Sequence, residues 1–356
     1  MKIIRREDIS IAKAFGIILM VVGHSGCPQI INSFIYQFHM PLFFIMAGIC
    51  LKEENIRNLS NFFKKKMKGI WWPYVKYGVL FLLFHNVFYH LNIYSSNYGF
   101  MNKVSSLYST SDFLWNFTKI IRMTGSEQLL GGFWFLHELF WASIISVISI
   151  RIIKNKYVVL FILIFIAFIM NYKSIEIPII QISSITFLSA SFFIIGYCFK
   201  NVKIKNIIFP FAFIAIVLGV KWGASSMHIT DSHMIFPYII VATLGTFSVY
   251  KFSVWLIEKS SKSSIYIKYI SFIGNNTLYI FIWHFLSFKI VSLIIIIIYD
   301  LPIEMLSKFP IIDEYSLKGF WILYTFVGVT LPLLLQQLIL LVKVSLINVR
   351  EKSLIE

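Results

Sequence analysis

The sequence contains little charge. Charged residues make up 13% of its 356 residues, about half of the 25% that is usual in soluble globular domains. Hydrophobic residues make up 58%, above the usual share of about 45–50%. These values exclude an ordinary soluble protein, and the repeated apolar runs of about 20 residues are typical of a protein that crosses a membrane several times.

Cysteine is also scarce. Cys27, Cys50 and Cys198 show no metal or redox spacing, so we assign them no role. The first apolar run lacks a small-residue cleavage site and is followed at once by a second, so we expect no cleavable signal peptide. We find no short-period repeat. One integral-membrane domain is therefore expected over residues 1–356.

The sequence has fewer acidic residues than basic residues. Lys and Arg total 32, Asp and Glu total 16, and the net charge is +16. Such an excess raises the question of nucleic acid, but most basic residues lie in alternate loops between the apolar runs, as the positive-inside rule requires. We therefore expect both termini in the cytoplasm, the lipid bilayer as a partner, and no nucleic acid.

The apolar runs predict an all-α fold, a polytopic membrane helical bundle of about ten transmembrane helices. A long loop, residues 90–131, falls on the extracytoplasmic side, and Phe113–Ile121 within it is expected to form a short interfacial helix. The expected apolar cores are Ile9–His24, Ile30–Leu51, Ile70–Val87, Gly132–Ile150, Val158–Met170, Ile182–Phe199, Ile207–Val220, Met234–Val254, Phe272–Tyr299 and Gly319–Leu341.

Lys13 and His24 are ionisable residues in the first apolar run. On a helix their spacing is three turns plus about 20°, so both side chains should share one face, about 16 Å apart. An ionisable pair within a membrane is costly and indicates function. The alternative is a lysine that reaches the inner interface and a histidine that caps the outer end.

His39 lies in the second apolar run, just before Pro41, whose ring should bend the helix there. The short connection Ser25–Gln29 makes the first two helices antiparallel neighbours, so His39 and His24 are expected to face one cavity. The alternative is a hydrogen bond from His39 to a neighbouring helix.

The fourth apolar run opens with a polar stripe: Trp134, His137, Glu138 and Trp141 recur at i, i+3, i+4 and i+7. A buried carboxylate needs a partner, so the stripe should face the bundle interior. A purely structural interhelical hydrogen bond remains the alternative.

Tyr279 and His284 lie inside the ninth apolar run. His228, Asp231 and His233 form a histidine-rich outer loop, but their spacing matches no familiar metal motif. We therefore expect no metal site.

The basic residues Lys65, Lys66 and Lys68 precede a membrane-entering Trp72-Pro73. One interpretation is a topology signal combined with attraction to anionic lipid, worth about 1 kcal/mol per charge. The other is a binding site for the phosphates of a nucleotide-tailed cofactor.

These stretches occur in an order that carries a family resemblance. They are Lys13-x10-His24, Phe38–Gly48, the run ending in Trp72-Pro73-Tyr74, Trp134–Leu136, Phe193–Tyr197 and Gly274–His284. Together they resemble the integral-membrane acyltransferase-3 superfamily of bacterial O-acyltransferases, and most nearly its polysaccharide or fucose O-acetylase-like members. The family's Arg-x-x-Arg is represented only by Lys65-x-x-Lys68, and when the sequence is aligned on Pro73 one basic position falls on Gly69.

The resemblance implies transfer of an acyl group, most often acetyl, from cytosolic acyl-CoA to a hydroxyl of a cell-surface glycan or its lipid-linked precursor, in the bacterial cytoplasmic membrane. His24 would act as the general base, and Lys13 would hold the donor arm or stabilise developing negative charge. The implied donor-binding residues are Lys65, Lys66 and Lys68. The residues implied to position the acceptor or orient His24 are His39, Trp134, His137, Glu138 and His284.

A second class of function shares several of these features. Ionisable residues inside apolar runs and proline kinks are also typical of a multi-span transporter or a flippase for a glycan or small substrate. The sequence shows no paired half-helices and no inverted repeat, which favours the enzyme.

Overall fold

The structure, a computed structural model, describes residues 6–100, 103–223, 226–228, 231–260 and 264–352. These residues are mostly helical, which confirms the all-α prediction. A two-residue antiparallel pair, β1 (Gly99–Phe100) with β2 (Lys103–Val104), lies in the long loop. The helices are α1 Glu7–His24, α2 Gln29–Tyr36, α3 His39–Ile49, α4 Glu53–Arg57, α5 Leu59–Lys66, α6 Trp72–Leu83, α7 His85–His90, α8 Thr110–Ile121, α9 Trp134–Ile153, α10 Lys156–Tyr172, α11 Ser184–Phe199, α12 Ile208–Trp222, α13 Ile235–Lys259, α14 Ile265–Asn275, α15 Thr277–Tyr299, α16 Asp313–Tyr315 and α17 Trp321–Lys352.

Within the described residues, five helical stretches are long and apolar enough to cross a membrane. They are Gln29–Ile49, Gln128–Ile153, Ser232–Lys259, Thr277–Tyr299 and Asp313–Leu341. The apolar helices α10, α11 and α12 are shorter, with 17, 16 and 15 residues. The protein is therefore multi-pass by helix length and composition, whereas ten spans and cytoplasmic termini stay predictions.

Helix α1 lies at the centre of the bundle, where it contacts α3, α13, α14, α15 and α17. Glu7 and Asp8 occupy its first turn, where negative charge stabilises a helix N-terminus. The helix ends at His24, and Gly26 takes a positive φ of 73° in the turn that follows. A Cβ at that position would lie 2.3 Å from the Ile311 side chain, so only glycine fits the turn that fixes His24.

The helix predicted from the third apolar run, Ile70–Val87, begins earlier in the structure than in the prediction. Helix α5, a π-helical turn over Met67–Trp71 and α6 form one continuous helix from Leu59 to Leu83. The expected apolar core began at Ile70, with the lysines in a loop before it. The structure instead places those lysines on the helix itself. The Asn58 side chain accepts a hydrogen bond from the Asn61 N–H and so caps the start of α5.

Three glycines allow helix backbones to approach one another. A Cβ on Gly48 of α3 would lie 1.9 Å from the Phe193 carbonyl oxygen, and one on Gly196 of α11 would lie 2.0 Å from the Ile45 carbonyl oxygen. Gly274 of α14 lies equally close to α1, since its Cβ would lie 1.7 Å from the carbonyl oxygen of Ser10. Small residues serve this purpose in membrane bundles, where van der Waals packing drives helix association.

The long loop contains the short helix that its sequence predicts. Helix α8 begins with a capping box, in which the Ser109 hydroxyl accepts from the Asp112 N–H and the Asp112 carboxylate accepts from the Ser109 N–H. Hydrogen bonds from Ser109 to the carboxylate lower the pKa of Asp112. Helix α8 packs along α6, and the Trp71 indole N–H donates to the Ile121 carbonyl oxygen.

Candidate active site

A cavity of about 680 Å³ lies where the last turn of α1, the start of α3 and the first turn of α9 meet. His24, His39 and Trp134, three of the predicted site residues, form part of its wall. We call it the histidine cavity. Its volume lies within the range of small-molecule sites, about 300–1,000 Å³. Further polar side chains in its wall are Gln29, Asn32, Ser33, Tyr36, Ser226 and His228.

His24 is half-buried at the last position of α1. Its ring lies 5.1 Å from the Phe285 ring and 6.5 Å from the Tyr36 ring, centre to centre. Tyr36 approaches closely because Gly23 has no side chain, and a Cβ there would lie 2.9 Å from the tyrosine ring. Among the described residues we find no hydrogen-bond partner for the imidazole of His24. Its nitrogens are therefore available to a molecule in the histidine cavity.

His39 is buried at the first position of α3, where the helix predicted to bend at Pro41 is broken into α2 and α3. Pro41 has no N–H to donate to the carbonyl of Gln37, which leaves the ladder incomplete at this point. The Nδ1–H of His39 donates to the Ile35 carbonyl oxygen at 2.9 Å. This bond fixes the tautomer with the lone pair on Nε2.

His284 lies next to His24. It is not among the residues described in the wall of the histidine cavity. It is fully buried, and its Nδ1–H donates to the carbonyl oxygens of Phe281 and Ile280 at 2.9 and 3.2 Å. Its Nε2 has no partner among the described residues. The ring centres of His284 and His24 are 5.7 Å apart.

Lys13 lies in the wall of a second cavity, of about 370 Å³, which we call the lysine cavity. Helix α1 is unbroken between Lys13 and His24, so the predicted common face is present. The two side chains nevertheless line different cavities, so the structure does not bring them to one pocket. Cys50, Gly69 and Thr277 also belong to its wall, although the sequence did not assign them to the site.

The basic run lies beside the lysine cavity without contributing to its described wall, which contains Gly69 and Ile70 from this helix. The Lys65 ammonium donates to the Asn55 side chain at 3.1 Å. The Lys66 ammonium lies 5.2 Å from the centre of the Phe62 ring. Lys68 is exposed. The three lysines therefore have different surroundings: an amide, an aromatic ring and solvent.

His137 and Glu138 are buried on α9 but do not belong to the described wall of either cavity. The Nδ1–H of His137 donates to Glu138 at 3.1 Å, and the other ring nitrogen lies 2.8 Å from the Ile180 carbonyl oxygen. The predicted partner of the buried carboxylate is thus the adjacent imidazole. Trp134, one turn away, does reach the histidine cavity, where its ring lies 4.8 Å from that of His228.

His228 lies in the described part of the loop between α12 and α13. Desolvation lowers the pKa of His228, which favours the neutral imidazole at this end of the histidine cavity. Asp231 accepts a hydrogen bond from the His233 backbone N–H. Among the described residues, no group of three or more His, Cys, Asp or Glu side chains is placed to hold a metal ion.

The family model described as an acyltransferase domain of type 3 matches residues 6–337, nearly the whole chain. The chain belongs to the acyltransferase-3 family. The resemblance inferred from the ordered motifs is therefore confirmed, and the protein is a membrane acyltransferase. No curated protein and no solved structure matches the chain at a significant level.

The motif Gly274–His284 of this acyltransferase begins with residues that contact α1. Gly274 packs against the backbone of α1, and the Ser10 hydroxyl donates to the Asn275 side chain at 3.0 Å. The Asn276 side chain accepts a hydrogen bond from Gln336 of α17 at 2.6 Å. Thr277, the next residue, reaches the lysine cavity. This motif therefore anchors the helix that carries Lys13 and His24.

A buried ion pair in the acyltransferase was not found by sequence reasoning. His85 donates from Nδ1 to Glu127 at 2.6 Å, and both side chains are no more than 3% exposed. The other ring nitrogen lies 2.8 Å from the Ser106 carbonyl oxygen, and the ring stacks on Tyr108 at 3.4 Å. The pair fixes the long loop just before the 3-10 helix that brings Gly132 to the histidine cavity.

Proposed function

We propose that this acyltransferase moves an acetyl group from cytosolic acetyl-CoA to a hydroxyl of a cell-surface glycan or its lipid-linked precursor, in the bacterial cytoplasmic membrane. The observation that carries the proposal is the position of His24, half-buried in the wall of a cavity of about 680 Å³. Aromatic rings and uncharged polar groups surround it, which suits a sugar with apolar faces and several hydroxyls.

In the proposed reaction, an acceptor hydroxyl lies in the histidine cavity and His24 takes its proton. The hydroxyl oxygen attacks the thioester carbonyl carbon, so a C–O bond forms and the C–S bond breaks. The departing thiolate takes the proton from the imidazolium, and His24 returns to its neutral form. Imidazole suits both steps because its ordinary pKa is close to neutrality.

The donor is proposed to approach through the lysine cavity. Lys13 faces that cavity from α1, in reach of a thioester arm that extends toward His24. Its ammonium would stabilise negative charge on the arm or on the carbonyl oxygen as the hydroxyl attacks. Lys65, Lys66 and Lys68 lie on the helix that borders this cavity, and they would attract the phosphates of the nucleotide end.

The acceptor is proposed to contact His39 and Trp134, both of which line the histidine cavity. His284 would orient His24 from behind, since their rings are 5.7 Å apart. The sequence also assigned His137 and Glu138 to the acceptor. They would act indirectly, by fixing the first turns of α9, the helix that begins with Trp134.

The proposal is tested with purified protein in liposomes, labelled acetyl-CoA, and membrane glycan or lipid-linked saccharide as acceptor. We expect His24→Ala to abolish label transfer without loss of folded protein. His90→Ala is the matched control, because His90 is an exposed histidine far along the chain from the cavity residues. Normal transfer by His24→Ala would contradict the catalytic role of His24.

The donor site has its own test. Changing Lys65 and Lys68 to Ala should raise the apparent KM for acetyl-CoA, while Lys173→Ala, an exposed lysine near the end of α10, should not. An unchanged KM in the double variant would return the basic run to a role in topology.

The same liposomes also test the other function considered from the sequence, that of a transporter or flippase. It would move its substrate across the liposome membrane without an acyl donor, and no label from acetyl-CoA would reach a glycan. Measuring both transport without donor and label transfer with donor separates the two functions.

A further inference from the structure

The histidine and lysine cavities share three wall residues. Met20, Met40 and Phe281 belong to the wall of both. Their side chains are buried, with 2%, 8% and 8% of their surface exposed. The two cavities are therefore adjacent, and these three side chains lie at the boundary between them.

Each of the three residues comes from a different helix, and each helix runs past both cavities. On α1, Lys13 and Ile17 line the lysine cavity, Met20 lines both, and His24 lines the histidine cavity. The steps of four, three and four residues keep these side chains on one helix face.

Helices α3 and α15 repeat this arrangement. On α3, Phe43 and Met46 line the lysine cavity and Met40 lines both. On α15, Thr277 lines the lysine cavity and Phe281 lines both. The boundary therefore lies at one level on all three helices, next to the turn that carries His24.

The aromatic member of the boundary is held in place. The Phe281 ring stacks on the Phe133 ring with 6.0 Å between centres and an angle of 6°, and lies 5.8 Å from the Phe135 ring. It also lies against Gly132, where a Cβ would lie 3.0 Å from it. The two methionines differ, because an unbranched side chain with three rotatable bonds changes shape easily.

We propose that Met20, Met40 and Phe281 form an acyl-selective gate between the two cavities, and that its width determines which acyl groups the enzyme transfers. The proposal rests on the function proposed above. A donor held in the lysine cavity reaches a hydroxyl beside His24 only when its acyl group passes between these side chains. Movement of the methionines opens the gate, and Phe281 forms its fixed side.

The first test measures acyl-chain preference. Met20→Ala and Met40→Ala should raise the ratio of kcat/KM for butanoyl-CoA to that for acetyl-CoA by about 10-fold or more, the usual range for one or two methylene groups in an apolar pocket. Met170→Ala is the matched control, since Met170 is a methionine of α10 as buried as Met40 and lies outside the described walls of both cavities. Its ratio should stay within about 2-fold of the parent.

An unchanged ratio in both gate variants, or an equal rise in Met170→Ala, overturns the proposal. If the parent protein transfers no label from any acyl-CoA, the proposed function itself is wrong. The second test needs no enzymatic activity and so distinguishes the two failures.

The second test uses Cys50, which lines the lysine cavity, as a reporter in protein with Cys27 and Cys198 changed to Ala. A small charged methanethiosulfonate is added to sealed vesicles of each orientation. With the gate intact, Cys50 should react from one side only. In the Met20→Ala, Met40→Ala double variant it should react from both sides. Reaction from both sides before the change, or from one side after it, overturns the gate.

Discussion

The imidazole rings of His24 and His284 lie 5.7 Å apart, centre to centre, and are inclined by 30°. The Phe285 ring lies 3.9 Å from His284 and 5.1 Å from His24. Both hydrogen bonds of His284 leave from Nδ1 toward carbonyl oxygens of its own helix. The lone pair on Nε2 is therefore held in a fixed direction within a dry environment, close to the proposed base.

We expect His284→Ala to lower kcat for acetyl transfer by about 100-fold, the lower end of the contribution of general acid–base groups. The reason is that His24 would lose the imidazole that orients it when it accepts a proton. The KM for acetyl-CoA should change little, because His284 lies outside the described wall of the lysine cavity.

The measurement is steady-state kinetics with His90→Ala as the control and His284→Gln as a conservative variant. The amide of the second variant keeps polar atoms near His24, so it should recover part of kcat. Equal losses in the Ala and Gln variants, or a change in KM alone, would contradict an orienting role.

Gly69 faces the lysine cavity, and a Cβ built on it meets no atom within 4 Å. It is also the position where a basic residue falls when the chain is aligned with the acyltransferase motif on Pro73. We expect Gly69→Arg to fold normally and to lower the KM for acetyl-CoA by about 10-fold, since a charge-assisted hydrogen bond to phosphate contributes about 1.5–3 kcal/mol.

Gly69→Leu separates charge from bulk at the same position. It should leave the KM unchanged or raise it, because it narrows the lysine cavity without adding a cation. If the Arg and Leu variants have the same KM, phosphate does not bind near Gly69.

The parts of the fold that sequence predicts are those with local signals. Apolar runs and polar residues at helical spacing led to α1, α3, α9 and α15, to His24 and His39 beside one cavity, and to Trp134 on the interior face of α9. The start of α5 was missed, although the Asn58 cap and the apolar Leu59 and Phe62 after it carry a helix signal. Helices were predicted from apolar runs long enough to cross a membrane, and the polar and charged residues of α5 keep it outside such a run.

Long-range contacts account for the rest. His137 carries the same helical spacing as Trp134, yet it pairs with the Ile180 carbonyl oxygen from the connection between α10 and α11. No periodicity in α9 predicts where that connection passes. Long-range contacts also explain why Lys13 and His24 line different cavities. Met40 and Phe281, which lie between the two cavities, come from distant parts of the chain.

Gly48 and Gly196 place α3 and α11 in backbone contact, with each missing Cβ directed at a carbonyl oxygen of the other helix. We expect Gly48→Ala and Gly196→Ala each to lower the free energy of unfolding by about 1–3 kcal/mol, because an added methyl group must push the helices apart. Thermal unfolding in detergent measures the loss. Gly69→Ala, whose new Cβ meets open space, should unfold like the parent, and equal stability of all three variants would contradict the close packing.

The His85–Glu127 pair and the Lys308–Glu314 pair offer a comparison of buried and exposed ions. His85 and Glu127 have side chains 2% and 3% exposed, whereas Glu314 is 55% exposed. We expect His85→Ala to destabilise the protein by about 3–5 kcal/mol, because it leaves a buried carboxylate without its partner. Glu314→Ala should cost at most about 1 kcal/mol.

The proposed acetyl transfer provides the second readout for His85, since Glu127 immediately precedes the 3-10 helix whose Gly131 and Gly132 line the histidine cavity. Transfer by His85→Ala should therefore fall at temperatures where the protein is still folded. Glu127→Gln should lose less of both stability and transfer, because its amide oxygen still accepts the hydrogen bond from His85. Equal losses in Glu314→Ala and His85→Ala would show that the buried pair does not hold this wall of the cavity in place.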